Sequence, residues 1–485
     1  MNSIKQHSFF LTIIFILSLV IRLIFFNTFL QENPCQLAFD AGHYHELALS
    51  LSNGQGIVHA DGAPQFYRLP GYSLFLALCY KLFGQSLYAV LRAQIVLASL
   101  LPILFFFLSL TLFPGNMLVA RVVALVGAVH PGYLIFSGLV MTETLFAIFF
   151  TLFLLFFVPR YTHLPSTPAL RQAQGERATT DKTPKPGHPE LVEGRRALGM
   201  SAGLALGLAS LIRPVGHFTL CASIVLFFFL SRAPLAHKVR DACVLFLSWF
   251  AVVLPWLWRN YALTGYLFFH TLSGVHFLNH VAARLCMEQH DSSYQQAQEI
   301  IQSEYAAALQ LKRAQAGRPL LDVEESVVAG QIAKNYMLKN PCHSIVHAVR
   351  NMVKTTFALY SSELLVIDSG GVLPAYSHKR SVSDLLMRFL KPQLNNKKIY
   401  GVIYSEIFLF ALMLLGFVGY ALLCLLGRVP REPFFITIWF GGLFVGLSLA
   451  CGYARLRLPA EPLLIIVASY FWCWCWFKIK HRHSG

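Results

Sequence analysis

The chain has 485 residues, 56% of them hydrophobic and 13% charged, with a mean hydropathy of +0.56. Soluble domains carry roughly 25% charged residues, so the composition excludes an ordinary soluble enzyme and indicates a polytopic membrane protein. The net charge of +16 is what Lys and Arg in cytoplasmic loops produce under the positive-inside rule, and it gives no support to nucleic-acid binding. The ten Cys show no CxxC pair and no zinc spacing, and most lie in apolar segments as small hydrophobes.

The first apolar segment, about Phe9 to Phe26, follows a short head and lacks a small-residue cleavage site, which reads as a retained signal-anchor. Arg22 near its outer end is within snorkelling reach of headgroups. Next comes a polar stretch, 38–84, with Asp40, His43, Tyr44, His45 and Glu46 in close succession. A helix starting near Asp40 would line Asp40, His43 and positions 44, 47 and 48 along one face. An acid there is also favoured as a simple helix cap. A glycine turn, Asn53-Gly54-Gln55-Gly56, leads to Arg68-Leu69-Pro70-Gly71-Tyr72. The run 70–83 is too short for a comfortable crossing and reads as a re-entrant or interfacial helix.

Further apolar runs follow at about 88–112, 117–136, 143–158, 197–212, 215–231, 241–258, 404–427, 433–451 and 461–478. With the first segment these make ten spans and put both termini inside. The basic loops 160–196, 232–240 and 428–431, and the tail beyond Lys478, then all fall on the cytoplasmic side. The outside holds 27–87, the turn near 131–142, Arg213-Pro214, the loop 259–403 and Tyr453 to Glu461, so five distant polar segments converge on one face. The expected organisation is an N-terminal membrane module (1–158), a disordered cytoplasmic insert (159–196), central spans (197–258), an external helical loop (259–403), and C-terminal spans with a basic tail (404–485). The insert is rich in Pro, Gly and charge and lacks hydrophobic periodicity.

Within the external loop, helices are expected over about Ser292–Arg313 and Val323–Leu338, with an amphipathic surface helix over about Ser344–Tyr360. Seven His between His270 and His378 fit no ligand spacing. Cys286 and Cys342 could pair in an oxidising compartment, leaving Cys35 over. Trp472, Trp474 and Trp476 form an interfacial belt.

Taken in order, the motifs resemble a known family. They are Asp40 after the first span, Tyr44, Ala48, the Gly54/Gly56 turn, Arg68-x-Pro-Gly-Tyr72, Lys81 to Gly84, Pro131 to Glu143 and Gly203 to Pro214. Last come Pro255-Trp256-x-x-Arg259-Asn260-Tyr261 and Arg455-x-Arg457-x-Pro459-x-x-Pro462. The chain resembles GT-C superfamily glycosyltransferases of the family 39 type, being similar to protein O-mannosyltransferases and to bacterial lipid A aminoarabinose transferases. Protein mannosyltransferases carry an Asp-Glu pair in the first loop, whereas Ala41 follows Asp40 here, which puts a protein acceptor in question.

The resemblance implies an all-α GT-C-type helical bundle of about ten spans in a bacterial inner membrane, with the site on the periplasmic face. It implies a polyprenyl-phosphate sugar donor and a lipid, glycan or protein acceptor. On that reading Asp40 is the base for the acceptor hydroxyl, and Glu143 assists it or orients the acceptor. Arg455 and Arg457 clamp the donor phosphate, with Arg68, Arg213 and Arg259 as second choices, and His43, Tyr44 and Tyr72 face substrate. The competing plain readings are headgroup anchoring for Arg455 and Arg457, snorkelling for Arg213, and loop packing for His43 and His45. No cofactor is implied, and a divalent metal stays open. The alternative functions are a transporter or flippase of lipid-linked sugars, which would show repeated halves and midplane ionisable groups, and an inactive scaffold of the same fold.

Overall fold

The computed structural model describes residues 2–32, 37, 40–59, 61–161, 189–231, 233–368 and 396–482. Most of the expected insert, the residue Cys35, His378 and part of the external loop lie outside the described residues. Among the described residues the chain is helical, with one isolated bridge between Val58 and Pro64 in place of any strand.

All ten apolar runs are helices. His7–Phe29, Leu87–Leu112, Leu235–Thr264, Ile399–Leu425 and Leu458–Lys480 are long and apolar enough to cross a bilayer. Met117–Val129 and Pro131–Ser137 make a sixth as a pair bent by 47° at His130. Pro131 causes the break, since proline keeps the preceding residue extended and cannot donate to the helix. Glu143–Tyr161, Pro189–Ile212, Val215–Leu230 and Glu432–Gly446 include shorter apolar stretches. The run 70–83 is a 14-residue helix, Pro70–Phe83.

The bundle core is aromatic and aliphatic, with Phe105, Phe136, Phe146, Phe150 and Phe153 essentially inaccessible. Its outward residues are apolar too, among them Phe9, Phe229, Phe408 and Leu425, the pattern of a surface solvated by lipid rather than water. Close approach is set by small residues. A Cβ on Gly203 would lie 2.6 Å from the carbonyl oxygen of Leu245, and one on Gly207 would lie 2.6 Å from Cβ of Val252. Gly203-x-x-x-Gly207 thus lets Pro189–Ile212 lie directly on Leu235–Thr264, the small-xxx-small mode of membrane helices. Gly71 does the same for the short helix, where a Cβ would meet the Leu211 carbonyl oxygen at 2.8 Å.

A second, smaller core belongs to the region 259–403. Leu278, Ala282, Cys286, Ala297, Ile301, Ala329 and Ala333 are buried together among Leu272–Phe277, Ala283–Gln289, Tyr294–Ala316 and Asp322–Lys339. Tyr294–Ala316 opens with a capping box from Ser293 and Gln296 and closes on Gly317 in the left-handed region, so start and stop signals are both local. Pro341–Phe357 carries an apolar stripe of Ile345, Val346, Val349 and Val353 that stays exposed.

Two sequence expectations fail here. Arg22 is buried, not snorkelled. Its Nη1 contacts the Ser18 side chain and donates to the carbonyls of Ser18 (3.3 Å) and Ala128 (3.4 Å), because the neighbouring helix ends there and offers free carbonyls. Cys286 and Cys342 are free, one buried in the smaller core and the other exposed.

The packing yields a direct test. Gly207→Val forces the Leu235–Thr264 helix away and should cost about 1–3 kcal/mol of stability, read as a lowered melting temperature in detergent. Gly446→Ala, which meets nothing within 4 Å, should leave it unchanged.

Candidate active site

Three of the carboxylates that open a helix bear on this region: Asp40 of Asp40–Ser52, Glu143 of Glu143–Tyr161 and Glu461 of Glu461–Arg482. Each is therefore favoured by the positive end of a helix dipole before any cation is added. Each also has an arginine.

Asp40 has two. Arg68 Nη2 donates to Oδ1 at 2.5 Å, and Arg455 Nη1 to Oδ2 at 3.4 Å, so both oxygens of one carboxylate face guanidinium groups. Arg68 arrives from the turn before the short helix, and Arg455 from the 3-10 turn Ala454–Leu456 that precedes the last span. Burial is the largest influence on the Asp40 carboxyl and pushes its pKa up. The charges of Arg455 and Arg68, the Arg68 hydrogen bond and His43 together outweigh it, and the pKa falls below the ordinary carboxylate value. Asp40 is an ionised group with 29% of its side chain still accessible.

His43, one turn along, presents Nδ1 to the same Arg68 Nη2 at 3.2 Å. Arginine can only donate, so Nδ1 accepts and the ring proton sits on Nε2. Burial and then Arg68 lower the His43 pKa, consistent with a neutral ring. His276 and His280, with ring centroids 4.4 Å apart, belong to the same neighbourhood. Burial, then His280 and Arg455, bring His276 down to about 4, so it too is neutral. Its Nε2 lies 3.3 Å from Sγ of Cys451.

Glu143 is buried and 2.9 Å from Nη1 of Arg213. Helix Pro189–Ile212 runs antiparallel to Glu143–Tyr161, which brings the C-terminal Arg213 to the N-terminal acid with both helix dipoles in favour. Gln94 shapes the turn just before Glu143, donating to the carbonyls of Phe136, Ser137 and Leu139 while accepting from the Tyr72 hydroxyl. Arg455 feels Glu143 as well as Asp40 and Glu363. One guanidinium thus links the carboxylates into one charged chamber.

Glu363 escaped the sequence reading. It lies at the start of Ser362–Asp368, just after Pro341–Phe357, and has no motif around it. Burial raises its pKa, and Glu143 and Asp40 add to the rise against the pull of Arg455. The only signal was an acid placed just past an amphipathic helix. His276, His280 and Cys451 also carried no distinguishing pattern.

Other expected ligand residues are occupied by the protein itself. Arg457 donates to Glu461 (2.8 Å) and to the carbonyls of Thr355 (2.9 Å) and Ala358 (2.6 Å), between the rings of Tyr360 and Phe410. Arg259 donates to the carbonyls of Ile57 (2.8 Å) and Gln65 (3.2 Å) and lies against Phe66 and Trp256, pinning the first external loop. Tyr72 is fully buried and packs edge-on against Tyr44, whose ring lies under Arg68. These side chains hold the chamber's walls. Among the described residues no group of three or more His, Cys, Asp or Glu is placed to hold a metal ion.

No protein-family model matches the chain, and no curated protein sequence does. Solved structures do. The chain is similar to the archaeal oligosaccharyltransferase AglB from Archaeoglobus fulgidus in complex with an inhibitory peptide and a dolichol-phosphate (TM-score 0.51, 11% identity, 99% of this chain and 52% of that one). The apo form of the Archaeoglobus fulgidus oligosaccharyltransferase gives a TM-score of 0.50 at 14% identity, over 99% of this chain and 51% of that one. ArnT from Cupriavidus metallidurans aligns over 90% of this chain and 72% of that one, at 14% identity and a TM-score of 0.38, too loose to carry weight. The chain spans about half the length of the oligosaccharyltransferases it matches, and at these identities the likeness concerns the fold alone. That fold is the GT-C-type membrane bundle.

The arginine assignments separate experimentally. Arg457→Ala strands Glu461 in a buried setting, and such a loss costs about 3–5 kcal/mol. Thermal unfolding of the purified variant should show it clearly, whereas Arg455→Ala, which leaves Asp40 paired with Arg68, should cost less.

Proposed function

We propose that the chain is a membrane glycosyltransferase that moves a sugar from a polyprenyl-phosphate donor to an acceptor hydroxyl on the extracytoplasmic face. The observation that carries the reading is Asp40, an accessible carboxylate kept ionised between Arg68 and Arg455 at the mouth of a GT-C-type bundle. One oligosaccharyltransferase of that fold was captured with a dolichol-phosphate, which supports a lipid-phosphate donor without specifying it.

The chemistry asks for few groups. The acceptor oxygen forms a bond to the anomeric carbon, and the bond from that carbon to the phosphate oxygen breaks. The bonding pair leaves on the phosphate, and the acceptor proton passes to Asp40. Arg455 is the cation suited to the departing phosphate, because it is partly accessible and has an Nε without a protein partner. Glu363, whose pKa burial raises against the pull of Arg455, lies near the same guanidinium. Glu143 and Arg213 form the buried wall behind them.

The face follows from charge. With ten crossings, the basic loops lie inside and the chamber outside. Reporter fusions at Asp61 and Gln310 should then read external and one at Arg431 cytoplasmic; an external signal at Arg431 would overturn the arrangement.

Asp40→Asn keeps shape and capping ability but removes the charge. Turnover in a membrane transfer assay with labelled lipid-linked sugars should fall roughly 10²–10⁴-fold, with donor binding little changed. Arg455→Ala should weaken donor binding as well as turnover. Full activity in Asp40→Asn would remove the base assignment, since Asn and Asp cap helices about equally well.

A further inference from the structure

Two histidines of the region 259–403 border the chamber. His276 lies in the last turn of Leu272–Phe277, and His280 lies in the π turn Leu278–Ala282 that continues it. Such turns are rare in helices and recur at functional sites. This one is held by its neighbours. The Asn279 carbonyl accepts from the Tyr294 hydroxyl at 2.8 Å, and Asn279 Oδ1 accepts from Gln302 Nε2 at 2.8 Å. One turn earlier, a Cβ on Gly274 would overlap the Ser326 carbonyl, and Ser326 Oγ donates to the Thr271 carbonyl at 2.6 Å. Both imidazoles therefore stand on a fixed backbone.

That backbone packs on the segment that carries Arg455. Val281 and Leu285 are buried with Ala450, and His276 Nε2 lies 3.3 Å from Sγ of Cys451, one residue further along. The two rings, with centroids 4.4 Å apart, are half-buried, and both lie within the fields of Arg455 and Asp40. Burial is the chief reason their pKa values fall below the ordinary imidazole value, and the Arg455 charge adds to it. Each ring is then neutral, with one nitrogen that donates and one that accepts. Among the described residues the His280 ring nitrogens have no hydrogen-bond partner.

We propose that His276 and His280 contact the hydroxyls of the transferred sugar and set the preference for it. The inference rests on the transfer reading given above and adds the residues that recognise the donor's sugar. If Asp40 takes the acceptor proton and Arg455 faces the phosphate, the sugar lies across the accessible side of that ion pair. Groups that feel both charges are its neighbours. A sugar hydroxyl donates and accepts, as a neutral imidazole does, so two adjacent rings match two hydroxyls. Arg68 and Arg213 are already paired with carboxylates.

Calorimetric binding to the purified full-length chain in detergent tests this without turnover. The probes are undecaprenyl phosphate and its phosphoryl-glucose, phosphoryl-mannose, phosphoryl-galactose and phosphoryl-aminoarabinose forms. At least one sugar-bearing lipid should bind about fivefold to tenfold tighter than the bare lipid phosphate, the effect of one net hydrogen bond. His280→Ala and, separately, His276→Ala should each remove most of that gain while the bare lipid phosphate binds as before. His280→Gln, which keeps a donor and an acceptor, should restore part of it, which a purely structural role would not predict. The proposal is overturned if no sugar-bearing lipid exceeds the bare one, if both alanine variants keep the gain, or if they weaken the bare lipid equally. Arg455→Ala is the control for the underlying reading and should weaken every lipid. If the parent binds no undecaprenyl phosphate, or Arg455→Ala binds it as the parent does, the transfer reading falls, and the sugar contacts fall with it.

Discussion

A carboxylate at the edge of an apolar bundle stays ionised only if cations are built around it. Asp40 has that support from two directions: Arg68 lies 28 residues away in sequence and Arg455 lies 415 away. The second contact closes the molecule, joining the first external helix to the turn before the last span. Contacts at the same end of the bundle keep those two arginines in reach. Arg259 ties the first loop to the end of Leu235–Thr264, and Gly71 lets the short helix after Arg68 sit against Leu211.

The turn that carries Arg455 is held by a buried ionic frame. Glu461 accepts from Arg457 and from the Tyr360 hydroxyl, and Glu406 accepts from the backbone N–H groups of Tyr360 (2.5 Å) and Ser361 (2.8 Å). Tyr133 donates to the Leu458 carbonyl from the bent helix pair. Four distant segments meet there. In a low-dielectric interior such a network has value as a fully connected unit, and a single missing member leaves a stranded charge. Arg455 and Arg457 are two residues apart, yet one is fastened into the frame and the other is turned towards Asp40.

How much of this could be read from the chain depended on whether the cause was local. The ten apolar runs, the helix starting at Asp40 and the external helices were legible because periodicity and capping are local signals. The glycine motifs were visible as patterns, and only the packing showed that Gly203 and Gly207 serve contact with Leu245 and Val252. Asp40 and Arg455 stood out as charges beside apolar segments. Glu363 did not, since its position follows from a turn clamped by Glu406 more than 40 residues later. Arg457, Arg259 and Tyr72 looked like ligand residues by type, and their commitment to backbone carbonyls and to Gln94 is a property of the folded chain. Arg22 was misread for the same reason: the carbonyl of Ala128 that receives it is 106 residues away.

The three acids at helix starts and the arginine at a helix end have a mechanical corollary. Asp40, Glu143, Arg213 and Arg455 sit at or beside the ends of different helices, so their spacing depends on how those helices sit against one another. The chamber's geometry is set by how far each helix rises relative to its neighbours. A change in bilayer thickness is met by tilting helices at modest cost per ångström of mismatch, and a small tilt displaces a tip more than it displaces a midpoint. Bilayer thickness thereby enters the alignment of these side chains.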